Sequence, residues 1–420
     1  MRKSTSINQF FQGIDRTDMT VFFCCMLSAA MTWSFFLMSV AMWGFVAVAF
    51  LRLDIKKIKL RLGFEVVNKS RNYRLALASI TVPFFLVLIS GLWSHDIYYW
   101  LERMRIKLPF LILPLAFYFL PKISRQQFYG VLYFTLLFIT GFTFFILANY
   151  ALHFTQITEL LNRGTPMPFM RDHIRYSIQL SFTIFIGLEF IRQKFYAREE
   201  REIFFIKILV GFLIAGLHII AVRSGLIIFY VSIFFFFFLW LFYKKRWRIG
   251  LVGLVLTFFL PYLAYHFIPS FHNRMNYARW DFLMYKKGEG EAYSDAGRWI
   301  SIDAGIQVLK KEPIFGVGAG DVFSEIGEVY VQQFNNWSPK LPHNQLLIVA
   351  DGTGIVGLII FLLSFFLPLY LNSDFRKQFL VLFFYLNVFL SFWLDMPFEA
   401  AFGVAFYVFY LSYQLSAASR

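Results

Sequence analysis

The chain has 420 residues, 59% of them hydrophobic and only 15% charged, with a formal charge of +15 and a mean hydropathy of +0.60. A water-soluble domain of that composition would expose most of its apolar surface, so the solvent must be lipid. Recurrent apolar runs of roughly 17 to 25 residues suit helices crossing a core of about 30 Å and exclude a membrane barrel, whose segments are short and alternating.

The expected fold is therefore all-α and polytopic, with about twelve transmembrane helices. In chain order the spans are predicted at 19–33, 35–51, 75–93, 106–120, 128–150, 173–191, 203–221, 223–243, 249–268, 345–371, 378–394 and 398–416. The stretches 19–51 and 203–243 are too long for one ordinary span, so each is read as a helical hairpin. The polar N-terminus lacks the pattern of a cleaved leader, and the first span is expected to be retained. Cys24 and Cys25 are adjacent within that span, which suits neither a disulfide framework nor a metal site. The Phe234 to Phe238 run reads as lipid-facing filler.

Basic residues set the orientation. Lys and Arg concentrate in the alternate segments 52–74, 121–127, 192–202, 244–248 and 372–377, which places these segments and both termini in the cytoplasm. Lys244-Lys245-Arg246-Trp247-Arg248 is the clearest inside anchor. A basic excess spent on orientation argues against nucleic-acid binding. Three regions result: a bundle of about nine spans over 1–268, a large outer loop over 269–344, and about three spans over 345–420. The loop is too long to be structureless and is expected to carry amphipathic helices over the bundle. Within it, 298–311 has helical spacing, with Trp299, Ile302, Ile306 and Leu309 as the apolar stripe.

The residues able to do chemistry gather around that loop. Gly316, Gly318 and Gly320 either let the backbone approach a ligand or form a plain tight turn. No Gly-Lys-Ser/Thr ending follows, so a nucleotide P-loop is not expected. His343 stands where the loop re-enters the membrane, with Pro342 before it and Asn344 able to hold the imidazole. Its ordinary pKa near 6.5 suits a general base. Arg223 lies between two apolar runs, where an unpaired guanidinium costs about 3 kcal/mol or more, so an anionic partner is expected. Arg175 begins the sixth span and Arg298 leads the loop helix. Asp172, Asp295 or Asp395 could pair with them instead. His173, close to Arg175, is a reserve candidate. No His or carboxylate pair has metal-ligand spacing.

The arrangement Asp295-Ala296-Gly297-Arg298-Trp299, then Pro313-Ile314-Phe315-Gly316-Val317-Gly318-Ala319-Gly320, then Pro342-His343-Asn344-Gln345 and Asp351-Gly352-Thr353-Gly354 resembles the signature region of the O-antigen ligase and polymerase superfamily of membrane glycosyltransferases. The likeness covers roughly residues 200–370. It implies a glycan donor linked through diphosphate to a polyprenyl lipid, attacked by an acceptor hydroxyl at the outer leaflet of the bacterial inner membrane, with 269–344 a periplasmic loop. Arg175, Arg223 and Arg298 would then clamp the diphosphate and His343 would deprotonate the acceptor, with Asn344 and the three glycines in support and no cofactor or metal. A ligase acting on lipid A core is the favoured form, since the superfamily's polymerases usually show two substantial outer loops. Polymerases and protein O-oligosaccharyltransferases are admitted alternatives. A transporter or flippase of a lipid-linked anion would also want intramembrane arginines, but it has no need of such a loop and no inverted repeat is visible.

Overall fold

A computed structural model describes residues 15–54, 59–62, 69–168, 172–194, 199–242, 246–287, 294–333 and 338–418. Lys244, Lys245, Arg171 and the side chain of Asp295 lie outside the described residues. The first helices are α1 (Arg16–Trp33) and α2 (Phe35–Phe50), followed by a short antiparallel hairpin of β1 (Leu51–Asp54) and β2 (Lys59–Leu62). Next come α3 (Arg71–Ile80), α4 (Val82–Ser90), α5 (Ile97–Lys107), α6 (Pro109–Phe119), α7 (Arg125–Leu152), α8 (Phe154–Asn162) and α9 (His173–Gln193). Then follow α10 (Glu200–Ile220), α11 (Arg223–Phe242), α12 (Trp247–Phe267), α13 (Pro269–Lys286), α14 (Ser294–Lys311) and α15 (Val322–Gln333). The chain closes with α16 (Gln345–Leu371), α17 (Ser373–Arg376), α18 (Phe379–Leu394), a 3-10 turn (Pro397–Glu399) and α19 (Ala401–Ala418).

Every predicted span coincides with helix, yet fewer than twelve are built to cross a bilayer alone. Among the described residues seven helices are long and apolar enough, namely α7, α9, α10, α11, α12, α16 and α19, and α3 with α4 adds an eighth if that pair, bent by 42°, is one span. The shortfall has physical causes. Helices α2 and α18 have 16 residues each, α6 has 11, and α1 carries Arg16 and Asp18 in its first turn. The β-hairpin is the one departure from the all-α expectation among the described residues.

Both suspected hairpins exist. Ser34 separates α1 from α2 and caps α2 by accepting a hydrogen bond from Leu37 N at 3.3 Å. Ala221 separates α10 from α11 in the left-handed conformation, φ 53°. The core sits around α9, which packs on α7, α10, α11 and α18 and is buried nearly all round. Phe182 and Phe185 on α9 meet Phe384 and Phe383 on α18 at ring-centroid distances of 5.2 and 4.4 Å. In the Phe234 to Phe238 run, Phe234 and Phe238 are exposed, whereas Phe236 turns inward onto Phe379 and Phe383.

Among the described residues of the segment 269–344 there are three helices, α13, α14 and α15. Helices α14 and α15 share a small core of their own, including Ile300, Ala304, Val308, Val322 and Ile326. The predicted stripe on α14 is corrected: Trp299 and Ile306 are exposed, and the buried face runs through Ile300, Ser301, Ala304, Gly305 and Val308. Small residues won because α14 lies close against α16, where a Cβ on Gly305 would come within 2.8 Å of Leu347.

Candidate functional site

The N-terminal half of α14 and the turn before α16, both within 269–344, meet the start of α9. His343, half-buried, faces Ser301 about two turns into α14. Its Nδ1 lies 3.2 Å from Ser301 Oγ, and its backbone N donates to the same oxygen at 3.3 Å. Ser301 has one hydroxyl proton, donated to the carbonyl of Arg298 at 2.8 Å. The oxygen can therefore only accept from Nδ1, which assigns the imidazole proton to Nδ1 and leaves the Nε2 lone pair open. Burial first, then the charges of Arg298, Lys340 and Arg175, lower the His343 pKa from its ordinary value to about 4. The ring is neutral at pH 7, the form a base requires.

Asn344 does not hold this ring. Its Oδ1 caps α16, accepting from Leu347 N at 3.1 Å, as an Asn entering a helix commonly does. Gln345 anchors the motif instead, donating through Nε2 to Glu399 at 3.0 Å and accepting at Oε1 from Phe398 N at 2.7 Å. Glu399 also receives Lys107 Nζ at 2.8 Å.

The three expected arginines act on a common region. Arg298 and Arg175 both bear electrostatically on His343 and His173, while Arg298 and Arg274 bear on Arg223. Arg175 is ion-paired with Asp172, which also caps α9, so the pairing weighed from the sequence is present. Its buried Nε has no hydrogen-bond partner among the described residues. Asp281, fully buried, accepts from Ala296 N at 3.1 Å and opposes the charge of Arg223. Asp395 is not ion-paired to these arginines; burial raises its pKa, against the influence of Arg175 and Arg298. Beside Arg175 and Asp172 lies a cavity of about 340 Å³, walled by Met31, Phe35, Tyr176 and Phe402.

Three further residues of this region escaped the sequence reading. Arg274 on α13 is buried, donates to the Gly164 carbonyl at 2.8 Å and has its pKa lowered chiefly by burial. Lys340 places its ammonium over Gly297, where a Cβ would meet Nζ at 2.9 Å. Ser301 is the third. The available signal for Ser301 was its place one helical turn after Arg298; nothing local marks Arg274 or Lys340.

The glycines are taken up by packing. Gly316 and Gly318 have φ of 71° and 95°. A Cβ on Gly316 would lie 2.5 Å from the Asp351 carbonyl, and one on Gly320 would lie 2.6 Å from that of Asp96. Neighbouring amides point into the protein: Val317 N donates to Asp351 O at 2.9 Å, Ala319 N to Ser90 Oγ at 3.2 Å and Gly320 N to Ser94 Oγ at 3.0 Å. This is the tight-turn reading, with the turn wedged against α16 and α4. The wedge fills a break in α16, where Gly354 leaves the helix at φ 68°, ψ −175°; Ile355 N and Val356 N donate instead to the carbonyls of Pro313 and Ile314. Backbone donors at membrane depth need such partners.

Residues 208–362 match the family model described as O-antigen ligase, a segment that contains Arg223, Arg274, Arg298, Ser301 and His343. No curated protein matches the chain.

Proposed function

Because residues 208–362 form an O-antigen ligase family domain in a multi-pass membrane chain, a glycosyltransferase type of protein, we propose that it transfers a glycan from a polyprenyl-diphosphate lipid to a hydroxyl of lipid A core. The observation that carries the reading is that Arg298, Lys340 and Arg175 act on one neutral imidazole whose Nε2 is open, while Arg298 in turn lies in the field of Arg223 and Arg274. So much positive charge in a poorly solvated place is costly in the empty protein and is offset when a polyanion enters.

The acceptor hydroxyl gives its proton to His343 Nε2 as its oxygen attacks the anomeric carbon. The bond from that carbon to the diphosphate oxygen breaks, and the polyprenyl diphosphate departs with the electron pair. One displacement inverts the anomeric centre. Arg223, Arg298 and the unpartnered Nε of Arg175 would hold the diphosphate and stabilise the charge that grows on it. Binding also restores the base: donor charge offsets the cations that depress the His343 pKa, so the imidazole gains basicity once substrate is in place. The apolar cavity beside Arg175 suits the first prenyl units. On this reading the reaction takes place at the outer leaflet of the inner membrane, with 269–344 in the periplasm.

The test is transfer by purified protein given lipid-linked donor and lipid A core, in EDTA and without nucleotide. Inverted product should form. Activity that vanished with chelation and returned with Mg²⁺ would mean that a metal carries the diphosphate charge. Turnover on a repeat unit or a peptide hydroxyl, but not on lipid A core, would make the protein a polymerase or protein glycosyltransferase.

A further inference from the structure

His343 lies on the 269–344 segment, whereas Arg175 and Arg223 lie on the bundle helices α9 and α11. A base borne on one part and a diphosphate clamp borne on another need a fixed register between them. Ser301 holds the imidazole from the α14 side. On the bundle side the hold falls to Gln345, two residues after His343 and fully buried. Its N donates to Asp395 O at 3.1 Å, its Oε1 accepts from Phe398 N at 2.7 Å and its Nε2 donates to Glu399 Oε1 at 3.0 Å. An amide used at both its donor and its acceptor end is fixed in orientation. The stretch that receives it is anchored in turn. Phe398 is buried among Phe110 of α6, Phe392 of α18 and Tyr407 of α19, at ring-centroid distances of 4.9, 5.0 and 5.2 Å. The Glu399 carboxylate accepts from Lys107 Nζ at 2.8 and 2.9 Å and from Arg103 Nη1 at 3.4 Å, both on α5. A buried ion pair resists displacement, because moving either charge leaves the other uncompensated.

We propose that Gln345 is a positioning residue for the transfer: it holds the turn that carries His343 in register with the arginines of the bundle, and Glu399 with Lys107 is the abutment it bears on. The assignment rests on the role of His343 as the base. The acceptor oxygen must lie between Nε2 and the anomeric carbon, and that carbon is placed by the grip of the arginines on the diphosphate. A misplacement of about 1 Å can cost about 10²-fold in rate. Gln345 acts only through His343 and touches neither donor nor acceptor. Asn344 cannot supply the same hold, because its side chain is spent on the cap of α16.

The experiment compares the full chain with its Gln345→Met variant, which keeps an unbranched side chain of similar length and removes both amide ends. The single-turnover rate should fall about 10²-fold while donor affinity is unchanged, since the arginines are untouched. A second readout needs no transfer: the imidazole nitrogen resonances of His343 in histidine-labelled protein, identified by their loss in His343→Ala. In the unaltered chain they should report a neutral ring protonated at Nδ1 at pH 7. In Gln345→Met the ring is better hydrated and shifted from Arg298 of α14, Lys340 of the preceding stretch and Arg175 of α9, so it should titrate at higher pH. The acid limb of kcat/KM should move the same way. If Gln345→Met does not fold, an exchange carries the test. Gln345→Glu sets two carboxylates face to face and should lose rate; adding Glu399→Gln re-forms the bond with its direction reversed and should recover about tenfold or more. A folded Gln345→Met with unaltered rate and resonances would overturn the proposal, as would a loss of donor affinity matching the loss of rate, or an exchange that recovers nothing. Should the unaltered chain transfer no glycan, the base role of His343 fails, and the resonances alone decide whether Gln345 holds the ring.

Discussion

At the residue scale, the proposed chemistry depends on one proton's position. Ser301 spends its hydroxyl proton on the Arg298 carbonyl and so fixes the His343 tautomer. His343→Ala should lower the single-turnover rate by about 10²- to 10⁴-fold and leave donor affinity nearly intact, since a base acts on the acceptor. Arg223→Lys should lower affinity and rate together, because an ammonium keeps the charge but not the planar fork. Direct donor titration alongside single-turnover kinetics separates the two; a near-normal rate in His343→Ala removes the base. The pH dependence has a definite sign. In the free protein His343 is neutral above its pKa of about 4, so kcat/KM should fall only as pH drops through that value. With donor bound the pKa rises, so the acid limb of kcat should lie at higher pH. Ser301→Ala removes the acceptor that favours the protonated ring, and its kcat/KM limb should move further to acid, a displacement that loss of packing alone would not produce.

Among the elements, α16 is the one whose form is set by a partner. Its break at Gly354 persists because the 313–320 turn supplies the carbonyls and the close packing. Gly354→Ala would drive a Cβ to 2.0 Å from Ile314 O in a conformation open essentially only to glycine. The expected result is little folded protein in detergent extracts; an unshifted melting midpoint would show that the wedge can move aside. Asn344 lay next to the histidine and invited the role of its holder, but helix geometry gave the side chain to Leu347 N. The α14 stripe misled for a related reason: hydrophobicity marks a face that can be buried, and close approach to α16 required the small face instead.

For the whole molecule, the arrangement depends on which side of the membrane holds 269–344. Lys310 is exposed on α14, and a cysteine there, in a background where Cys24 and Cys25 are serine, should react with an impermeant thiol reagent applied from outside. Reaction only after the inner face is opened would move the donor site to the cytoplasmic side and remove the proposed outer-leaflet reaction. With seven to eight self-sufficient spans among the described residues, α1, α2, α6 and α18 are carried by their neighbours. Short helices of this kind persist because aromatic packing, such as Phe45 against Phe117 at 5.4 Å and Phe383 against Phe185 at 4.4 Å, replaces the length that they lack.

Hydropathy and breakers alone determined that the chain is a helical membrane protein, where its helices lie, and that 269–344 is the one long interruption between its apolar runs. Each of these follows from transfer free energy or backbone chemistry, which act locally along the chain. Arg175 and Arg223 stood out as candidates for the same reason, since a charged group beside an apolar run is conspicuous without knowledge of its neighbours, whereas His343 became a candidate base chiefly through the family resemblance. Tertiary structure alone decided that Ser301 orients the imidazole, that Arg274 and Lys340 join the cationic cluster, and that the Gly316 to Gly320 turn fills the break at Gly354. Those outcomes depend on which surfaces meet in space, and a hydrogen bond between residues 42 positions apart, like that of Ser301 with His343, leaves no periodicity to read.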